Sequence, residues 1–379
     1  MPKLDIILTC NYSPWSKYSG GGQKSTHMLA CALAKLGHSV QVIYSKGLLE
    51  SIKQPEDIPY QVHWAPFFAL YPSMASPLRF LNPYSFKAKV RQICSPDTIV
   101  HSQGEEAAQL CTLPVKWIHS NRFPDFPQHI QRLNLKAQQT PYRLWLRDPK
   151  YGNVHKCIKN AQTIVVTSRH NAHKLESYFD TQSIVIPNGL DPVYFSKCWE
   201  FRPTCRGLLY FGRLVHAKGV DTLLEAYGLL PESLQKQHPL HIIGNGKDQV
   251  ALQKQAQSLH LNPHITWLSW ADALDIVNLM MGKSLVVLPS REESFGNTML
   301  ESLASGTPTL TTNAGSIPEV VGNQGILVEA GDPLALKTAI ENSLANLPKH
   351  KSQQQQNVIK DKYSWEATAQ QYISQYTSL

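Results

Sequence analysis

Short runs of apolar, mostly β-branched residues alternate with helical patterns along the whole chain, and this narrows the fold more than any other feature. In the first half the runs are LDIILTC, HSVQVIY, DTIVHS, VKWIHS and TIVVTS, and in the second GLLYFGRL, LHIIGNG, HITWLS, SLVVLPS, TPTLTT and GILVEA. Between the first two, KSTHMLACALAKLG keeps its apolar residues on one helical face and stops at Gly37. Strands that alternate with helices in this way indicate an α/β fold with parallel sheets.

A segment rich in turn-forming residues lies near the middle of the chain. With 379 residues the chain is too long for one small core. The segment VIPNGLDPVYF contains Pro187, Asn188, Gly189 and Pro192, which favour turns over regular structure. We therefore predict two doubly wound domains, 1–185 and 197–362, joined by a linker at 186–196.

Composition and cysteine usage favour a globular protein of the cytoplasm. Apolar residues make up 42% and charged residues 17% of the chain, and no apolar run reaches the roughly 18–20 residues that span a bilayer. The N-terminal apolar run reads as a first strand, without a cleavage signature. The seven cysteines are scattered and form no C-x-x-C pair, so neither a disulfide framework nor a zinc site is indicated.

The net charge of +8 is concentrated in one stretch, residues 111–160. This stretch contains two acidic residues, Asp125 and Asp148, and nine basic ones: Lys116, Arg122, Arg132, Lys136, Arg143, Arg147, Lys150, Lys156 and Lys159. Such a patch favours an anionic partner, whether nucleotide, nucleic acid or phospholipid surface.

A second stretch, 66–93, mixes aromatic and basic residues. The aromatic residues are Phe67, Phe68, Phe80, Tyr84 and Phe86, and the basic ones Arg79, Lys87, Lys89 and Arg91. Two readings stay open here: docking on an anionic membrane leaflet, or core aromatics beside a solvated basic face.

The glycine-rich segment GGGQKST resembles a phosphate-binding P-loop only in part. That motif places glycines immediately before the lysine and six residues before it, where this chain has Gln23 and Tyr18 before Lys24. What remains is a glycine loop, Gly20 to Gly22, between the first strand and the first helix. Ligands commonly bind at that end of a parallel sheet, although a plain tight turn explains the glycines equally well.

Two cations follow the first strand of the second domain, in YFGRLVHAKGVDTLLEA. Arg213 and Lys218 lie five residues apart on the loop between that strand and the next helix. Isolated loop cations are usually solvated, but two at a point where the strand order reverses are well placed to clamp a diphosphate.

Two acids flank a predicted helix start in EESFGNTMLE. Glu293 falls in the loop, and Glu301 on the second turn of the helix. The free N–H groups of Gly296, Asn297 and Thr298 are predicted to hold a phosphate, with the acids near a sugar hydroxyl and a ribose. The alternative is a pair of ordinary solvated carboxylates near a helix start.

Taken together, these stretches resemble the family-four retaining glycosyltransferases, which use nucleotide-sugars and have the GT-B fold of two Rossmann-like domains facing a central cleft. The words that carry the resemblance are GGGQKSTHMLACALAKLGHSV, VIPNGLDPVYF, YFGRLVHAKGVDTLLEA, IIGNG and LPSREESFGNTMLESLASGTPTLTTNAGSIPEVVG. The likeness covers nearly the entire chain, is most specific in the second half and is looser between about 50 and 160. It also implies that residues 363–379 form a helix packing back on the first domain through Trp365, Tyr372 and Tyr376.

The resemblance implies a role for each matching residue of the second domain. Glu301 binds the ribose of the donor nucleotide, and Arg213 and Lys218 bind the diphosphate and neutralise it as it leaves. The backbone at 296–298 holds the distal phosphate, and Glu293 binds hydroxyls of the transferred sugar.

In the first domain the resemblance implies that Gly21 and Gly22 approach the phosphate and the reacting sugar. His119 corresponds to a histidine that faces this sugar, although a lone histidine at a strand end is often structural. Two departures from the family pattern concern its substrates. Ser269 and Trp270 stand where the family often has glycine near the base. Lys17 is separated from Gly20 by two residues, unlike the lysine of the starch-synthase motif.

The implied reaction is a retaining, metal-independent transfer of the hexosyltransferase type, with no cofactor. The donor is a UDP-, GDP- or ADP-sugar and the acceptor a glycan or lipid-linked glycan, in lipopolysaccharide, capsule or other cell-surface glycan synthesis. Peripheral association with the inner face of the cell membrane stays open. The alternatives are a nucleotide-sugar epimerase of the same architecture and a basic nucleic-acid-binding protein, which no recognition motif supports.

Overall fold

A computed structural model describes residues 2–16, 19–68, 77–121, 149–200, 202, 204–269, 271–347 and 353–379. The chain divides into two compact units, here called unit 1 (Met1–Gly189 and Trp365–Leu379) and unit 2 (Leu190–Ser364). The division after Gly189 falls inside the predicted linker 186–196. The chain returns to unit 1 at Trp365, two residues after the predicted start of the terminal helix.

Unit 1 contains a parallel sheet in which seven strands of the described chain take part, in the order β3-β2-β1-β4-β5-β6-β7. These strands are β1 (Asp5–Cys10), β2 (Ser39–Gly47), β3 (Gln61–Phe67), β4 (Ile99–Ser102), β5 (Lys116–Ser120), β6 (Thr163–Val166) and β7 (Ile184–Val185). The helices of its described residues before the linker are α1 (Gly21–Lys35), α2 (Asn82–Ile93), α3 (Pro149–Asn160) and α4 (Arg169–Phe179).

The central strand β1 is buried on both faces, as expected in a parallel sheet covered by helices. Ile6, Ile7 and Leu8 are fully buried, and Ile6 pairs with Val40 on one side and Ile99 on the other. The strand order therefore reverses at β1. Such a switch point leaves an open place at the carboxyl ends of the strands, where ligands of doubly wound sheets commonly bind.

Unit 2 contains a second parallel sheet, with the order β10-β9-β8-β11-β12-β13. Its strands are β8 (Leu208–Phe211), β9 (Leu240–Ile243), β10 (Ile265–Leu268), β11 (Leu285–Leu288), β12 (Thr309–Thr312) and β13 (Ile326–Val328). Its helices are α5 (Val220–Gly228), α6 (Glu232–Gln237), α7 (Gln249–Ser258), α8 (Ala273–Met280), α9 (Asn297–Ser305), α10 (Ile317–Val321), α11 (Pro333–Ala345) and α12 (Gln353–Tyr363). The order reverses at β8, so the predicted pair of doubly wound sheets is confirmed.

Helix α12 begins in the glutamine run 352–356, for which the sequence predicts a solvated helix face or loop. Gln356 contradicts this, because it is buried and its amide nitrogen donates to the carbonyl oxygens of Lys197 (3.0 Å) and Ala304 (2.7 Å). One glutamine of the run therefore ties α12 to the rest of unit 2.

The last helix, α13 (Trp365–Thr377), packs within unit 1. Trp365, Tyr372 and Tyr376 are buried, which confirms them as its packing residues. Tyr376 Oη lies 2.6 Å from Nδ1 of His101 on β4, and Tyr372 Oη lies 2.8 Å from Ser120 Oγ on β5. Buried hydrogen bonds thus fix the helix to two central strands.

None of the described helices is both long enough and apolar enough to cross a membrane. Most of the basic stretch 111–160 lies outside the described residues, as do Lys17 and Trp270.

Candidate active site

Two loops of unit 2 carry the predicted donor residues, and they follow neighbouring strands. Strands β8 and β11 pair in parallel through Leu208 and Leu285. Arg213 and Lys218 follow β8, and Glu293 follows β11, so the loops leave the same edge of the sheet. That edge is also the switch point of the sheet, where an anionic ligand is expected.

Lys218 and Glu293 form an ion pair across these loops, with Lys218 Nζ donating to Glu293 Oε1. The two side chains are only 15% and 10% exposed, which weakens the screening of their attraction by water. Ser290 Oγ also donates to Glu293 Oε1, at 3.3 Å. Sequence reasoning assigned the lysine to a diphosphate and the glutamate to a sugar. The structure shows that they also neutralise each other.

Arg213 stands on a backbone that is held rigidly while its side chain is exposed. The buried hydroxyl of Tyr210 donates to Arg213 O at 2.9 Å. The next loop is closely packed, because a Cβ on Gly244 would lie 1.9 Å from Gly212 O. Gly212 and Gly244 have φ of +149° and +143°, so both the contact and the conformation favour glycine. The guanidinium is thus presented to solvent from a fixed loop.

Helix α9 begins beside the same loop. A Cβ on Gly212 would lie 4.0 Å from Thr298 Cγ2. Gly296 caps the helix in the left-handed conformation, with φ of +90°, and Asn297 is the first helical residue. The first amides of a helix have no acceptor within it, and no described backbone oxygen accepts a hydrogen bond from the amides of 296–298. These amides and Arg213 therefore form one edge that suits an anion.

Glu301 lies on the second turn of α9, as predicted, and is partly exposed. Its carboxylate accepts a hydrogen bond from Tyr194, whose pKa is raised well above its usual value by burial and by the charge of Glu301. Tyr194 belongs to the 3₁₀ turn Pro192–Phe195, which Asp191 caps by accepting from Val193 N at 3.0 Å. The predicted linker therefore contributes a residue that fixes Glu301.

In unit 1 the predicted glycine loop is shorter than the sequence suggests. Gly21 and Gly22 are the first two residues of α1, and Gly20 is its N-cap. Gln23 closes this start, because its Oε1 accepts from Gly20 N at 2.9 Å and its Nε2 donates to Asn11 O at 2.7 Å. The start of α1 is thereby tied to the end of β1. The proposed contact of Gly21 and Gly22 with a ligand stays a prediction.

His119 lies inside unit 1, on β5, and is 1% exposed. Its Nδ1 lies 2.8 Å from Ser102 Oγ, which also accepts from Trp117 Nε1 at 2.8 Å. Burial lowers its pKa to about 3, so the ring is neutral at physiological pH. This placement fits the structural alternative, and the sugar-facing role stays a prediction.

Sequence reasoning missed three residues that support the site: Gln23, Tyr194 and Arg291. All three lie within the segments that carry the family resemblance, but their partners are not apparent from a single sequence. Arg291 follows β11 and binds Asp221 through the two terminal nitrogens of its guanidinium group. In the described part of the chain, no group of three His, Cys, Asp or Glu residues is arranged to hold a metal ion. Metal independence remains a prediction.

The two halves of the chain match two different protein-family models. Residues 19–194 match the model for Glycosyltransferase Family 4, and residues 199–361 match that for Glycosyl transferases group 1. A phosphatidylinositol N-acetylglucosaminyltransferase component from Arabidopsis thaliana is 23% identical over 97% of this chain and 80% of its own. An uncharacterised glycosyltransferase of Methanocaldococcus jannaschii is 24% identical over 98% of this chain and 97% of its own.

Solved structures match the fold over its full length. Sucrose-phosphate synthase from Thermosynechococcus elongatus superimposes with a TM-score of 0.79 at 20% identity, covering 99% of both chains. HepE of Anabaena, crystallised with UDP, superimposes with a TM-score of 0.73 at 19% identity, covering 99% of this chain and 100% of its own. With family models on both halves and this architecture, the chain belongs to the group 1, family-four glycosyltransferases of the GT-B fold.

Proposed function

We propose that this glycosyltransferase moves a hexosyl group from a nucleotide-diphosphate-sugar to a hydroxyl of a cell-surface glycan or its lipid-linked precursor. The observation that carries the proposal is one edge of unit 2. Exposed Arg213, the ion-paired Lys218, the unpaired amides of 296–298 and the oriented carboxylate of Glu301 lie there, at the ends of β8 and β11 and the start of α9. Cations and amides suit a diphosphate, and a carboxylate suits the hydroxyls of a ribose.

The Lys218–Glu293 pair suggests how a donor engages this edge. A diphosphate carries more negative charge than one carboxylate and competes for Lys218. Its arrival releases Glu293 to accept hydrogen bonds from hydroxyls of the transferred sugar. The two predicted roles are then two states of one ion pair.

Glu301 is suited to the ribose because Tyr194 occupies part of its carboxylate from the buried side. The Glu301 side chain is partly exposed, so a ribose hydroxyl can approach it from solvent. A bound ribose hydroxyl donates to a carboxylate whose direction is already set, which lowers the entropy lost on binding.

Departure of the diphosphate places negative charge beside Arg213, Lys218 and the α9 amides. Preorganised donors and cations at the point where charge develops supply the largest share of catalysis in many enzymes. We propose that the transfer is metal-independent and retains anomeric configuration, with Gly21, Gly22 and His119 acting toward the sugar. The product's anomeric configuration, measured by NMR, tests retention, and an inverted linkage would exclude it.

The proposed donor and acceptor classes draw support from relatives. HepE of Anabaena has also been crystallised with UDP-glucose, and we infer a UDP-, GDP- or ADP-sugar donor here. O-antigen chain mannosyltransferase B of Escherichia coli is 30% identical over 173 residues. WaaG, described as a glycosyltransferase of lipopolysaccharide biosynthesis, matches with a TM-score of 0.68. These relatives support a glycan acceptor at the cell surface.

We also propose that unit 1 docks on an anionic membrane leaflet through exposed apolar residues that follow β2 and that lie before and at the start of α2. Phe67 and Phe86 belong to the core, so the aromatic stretch is only partly available. The large apolar residues that are about half exposed or more in this region are Leu48, Leu49, Leu78, Phe80 and Tyr84. Apolar side chains near basic residues suit an anionic lipid surface.

Liposome flotation tests this docking. Wild type should float with vesicles containing about 30% phosphatidylserine and sediment with neutral vesicles, since the attraction needs anionic lipid. Leu48→Ser with Leu49→Ser should abolish flotation. Equal behaviour with both vesicles, or flotation of the double variant, excludes the proposed surface.

Nucleotide binding tests the proposed function directly. UDP, GDP or ADP should raise the melting temperature of the wild type, because a ligand that binds only the folded state stabilises it. Lys218→Ala and Glu301→Ala should lose most of this stabilisation, while Lys337→Ala, which breaks an ion pair with Glu341 on α11, should retain it. Stabilisation by none of the three, or unchanged stabilisation of both site variants, contradicts the proposal.

A further inference from the structure

Arg291 binds the loop that carries Lys218 through both terminal nitrogens of its guanidinium group. Its Nη1 donates to Asp221 Oδ1 at 2.6 Å and to His216 O at 3.0 Å. Its Nη2 donates to Asp221 Oδ2 at 2.8 Å and to Thr222 Oγ1 at 2.7 Å. A bidentate arginine–carboxylate pair with two further bonds fixes both distance and angle, which lysine cannot reproduce.

The backbone around Arg291 is tied to the same loop. The amides of Arg291 and Glu292 both donate to Ala217 O, at 2.8 and 3.2 Å. The packing is equally close at Gly219, where a Cβ would lie 2.0 Å from Pro289 O and where φ is +67°. The segments 216–222 and 289–292 are therefore held against each other by side-chain and main-chain contacts.

Lys218 and Glu293 are located within or beside these contacts. Lys218 lies between Ala217 and Asp221, both of which are bound, and Glu293 follows Arg291 by two residues. Glu293 is fixed from the other side as well, because its carbonyl oxygen accepts from Ser316 N and Ser316 Oγ, both at 3.2 Å. The relative position of the two ion-pair partners is thus set by the segments that Arg291 joins.

Arg291 also neutralises a carboxylate near the site. Asp221 lies in the first turn of α5, three residues after Lys218. Burial alone would raise the pKa of this carboxyl, but the hydrogen bonds and charge of Arg291 outweigh it and hold the pKa below its usual value. Without Arg291, the ionised Asp221 would oppose an incoming diphosphate and compete for Lys218.

We infer that Arg291 is a positioning residue for the donor site: it holds Lys218 and Glu293 in register and keeps Asp221 from opposing the diphosphate. This rests on the proposed function insofar as the ligand is a nucleotide diphosphate. Arg291 acts through Lys218, so its effect on nucleotide affinity should depend on the lysine being present.

A double-mutant cycle measured by calorimetry with UDP, GDP and ADP tests that dependence. Arg291→Ala should lower the affinity for the nucleotide that binds wild type by about tenfold or more. Arg291→Lys should lower this affinity by a smaller factor. In the Lys218→Ala background, Arg291→Ala should lower nucleotide affinity by less than about threefold, because the effects of substituting residues that act as a unit do not add. Full additivity, or an unchanged affinity of Arg291→Ala, overturns the inference.

Hydrogen exchange of the ligand-free protein separates this inference from the proposed function. Arg291→Ala should speed exchange of the amides of Gly219, Arg291 and Glu292 about tenfold, since their acceptors, His216 O and Ala217 O, lie in the joined segments. Arg206→Ala is the matched control, because Arg206 is exposed and precedes β8 at the opposite edge of the sheet. If no nucleotide binds wild type, the proposed function fails but the exchange result stands. Unchanged exchange in Arg291→Ala overturns the positioning role.

Discussion

Tyr194 and Glu301 act as one polar unit, since a buried hydroxyl donates to the carboxylate expected to bind ribose. Tyr194→Phe removes this donor while keeping the ring, so the carboxylate loses part of its orientation. Nucleotide affinity should fall about three- to tenfold, corresponding to the net contribution of about one hydrogen bond. Affinity for inorganic pyrophosphate, which has no ribose, should be unchanged in the same calorimetric experiment. An equal loss for pyrophosphate would place the defect in the phosphate edge instead.

Glu106 in unit 1 predicts a pH dependence of stability. It is fully buried, and its Oε1 accepts from Thr9 Oγ1 at 2.9 Å and Gly104 N at 3.1 Å. Burial, with a smaller contribution from the charge of Glu105, raises its pKa from 4.5 to about 7. The folded state therefore binds more protons than the unfolded state between these values. The contribution of Glu106 is present below pH 4.5 and is lost as pH rises through about 7.

Glu106→Gln should remove this dependence, because glutamine keeps an acceptor oxygen and has no charge. Since one pKa unit corresponds to about 1.4 kcal/mol, the variant should gain on the order of 3 kcal/mol relative to wild type between pH 4.5 and 8. His119 acts in the opposite direction, as its depressed pKa of about 3 costs stability when pH falls below 6.5. Urea unfolding of both proteins at each pH cancels that contribution. A difference independent of pH would contradict the assignment.

At the scale of elements, the sequence predicted those with strong local patterns. The runs that became β1, β2, β4, β5 and β6 were recognised, whereas β3 and the two-residue β7 were not. β3 (QVHWAPF) mixes polar residues and a proline with its apolar positions, because it lies at an edge of the sheet. Helix α1 begins earlier than predicted. Its N-cap is Gly20, which has no side chain to cap the helix, and the side chain of Gln23 instead accepts a hydrogen bond from the Gly20 amide. Contacts with other parts of the fold determine these elements, and a local sequence pattern carries no information about such contacts.

Helix α13 supplies an element-scale prediction through Tyr376. Its hydroxyl lies 2.6 Å from His101 Nδ1, and both residues are buried. Tyr376→Phe leaves the histidine nitrogen without this partner, so stability should fall by about 1–3 kcal/mol in urea unfolding. Tyr84→Phe, at a half-exposed tyrosine of α2, should change stability by less than about 0.5 kcal/mol. Equal effects of the two substitutions would show that the buried hydrogen bond contributes nothing.

At the scale of the whole molecule, two doubly wound sheets and the return of the last helix were predicted correctly. The positions of Lys218, Glu293 and Glu301 on loops and helix were also predicted, because motif spacing fixes which element carries each residue. Their partners were not, since Glu293 lies 75 residues from Lys218 and Arg291 lies 70 residues from Asp221. A single sequence gives the identity and order of the residues. Which distant side chains pair with each other depends on how the folded sheet brings them together.

The division of the chain makes a final prediction, because unit 2 is continuous whereas unit 1 is completed by α13. Trp365, Tyr372 and Tyr376 share a buried cluster with Leu8 and Ile118 of the sheet. Residues 1–189 without α13 would expose this apolar surface and leave the polar partners of the tyrosines unpaired. Residues 190–364 keep their own core, along with Arg213, Lys218 and Glu301.

The segment 190–364 should therefore fold alone, melt cooperatively by circular dichroism and bind the same nucleotide as the full chain within about tenfold. The segment 1–189 should be unfolded or aggregated, and a synthetic 365–379 peptide added in trans should restore part of its structure, since a ligand of the folded state stabilises it. The Tyr376→Phe peptide should restore less, because it lacks the hydroxyl that pairs with His101. Cooperative folding of 1–189 without the peptide would show that α13 is not needed to complete unit 1.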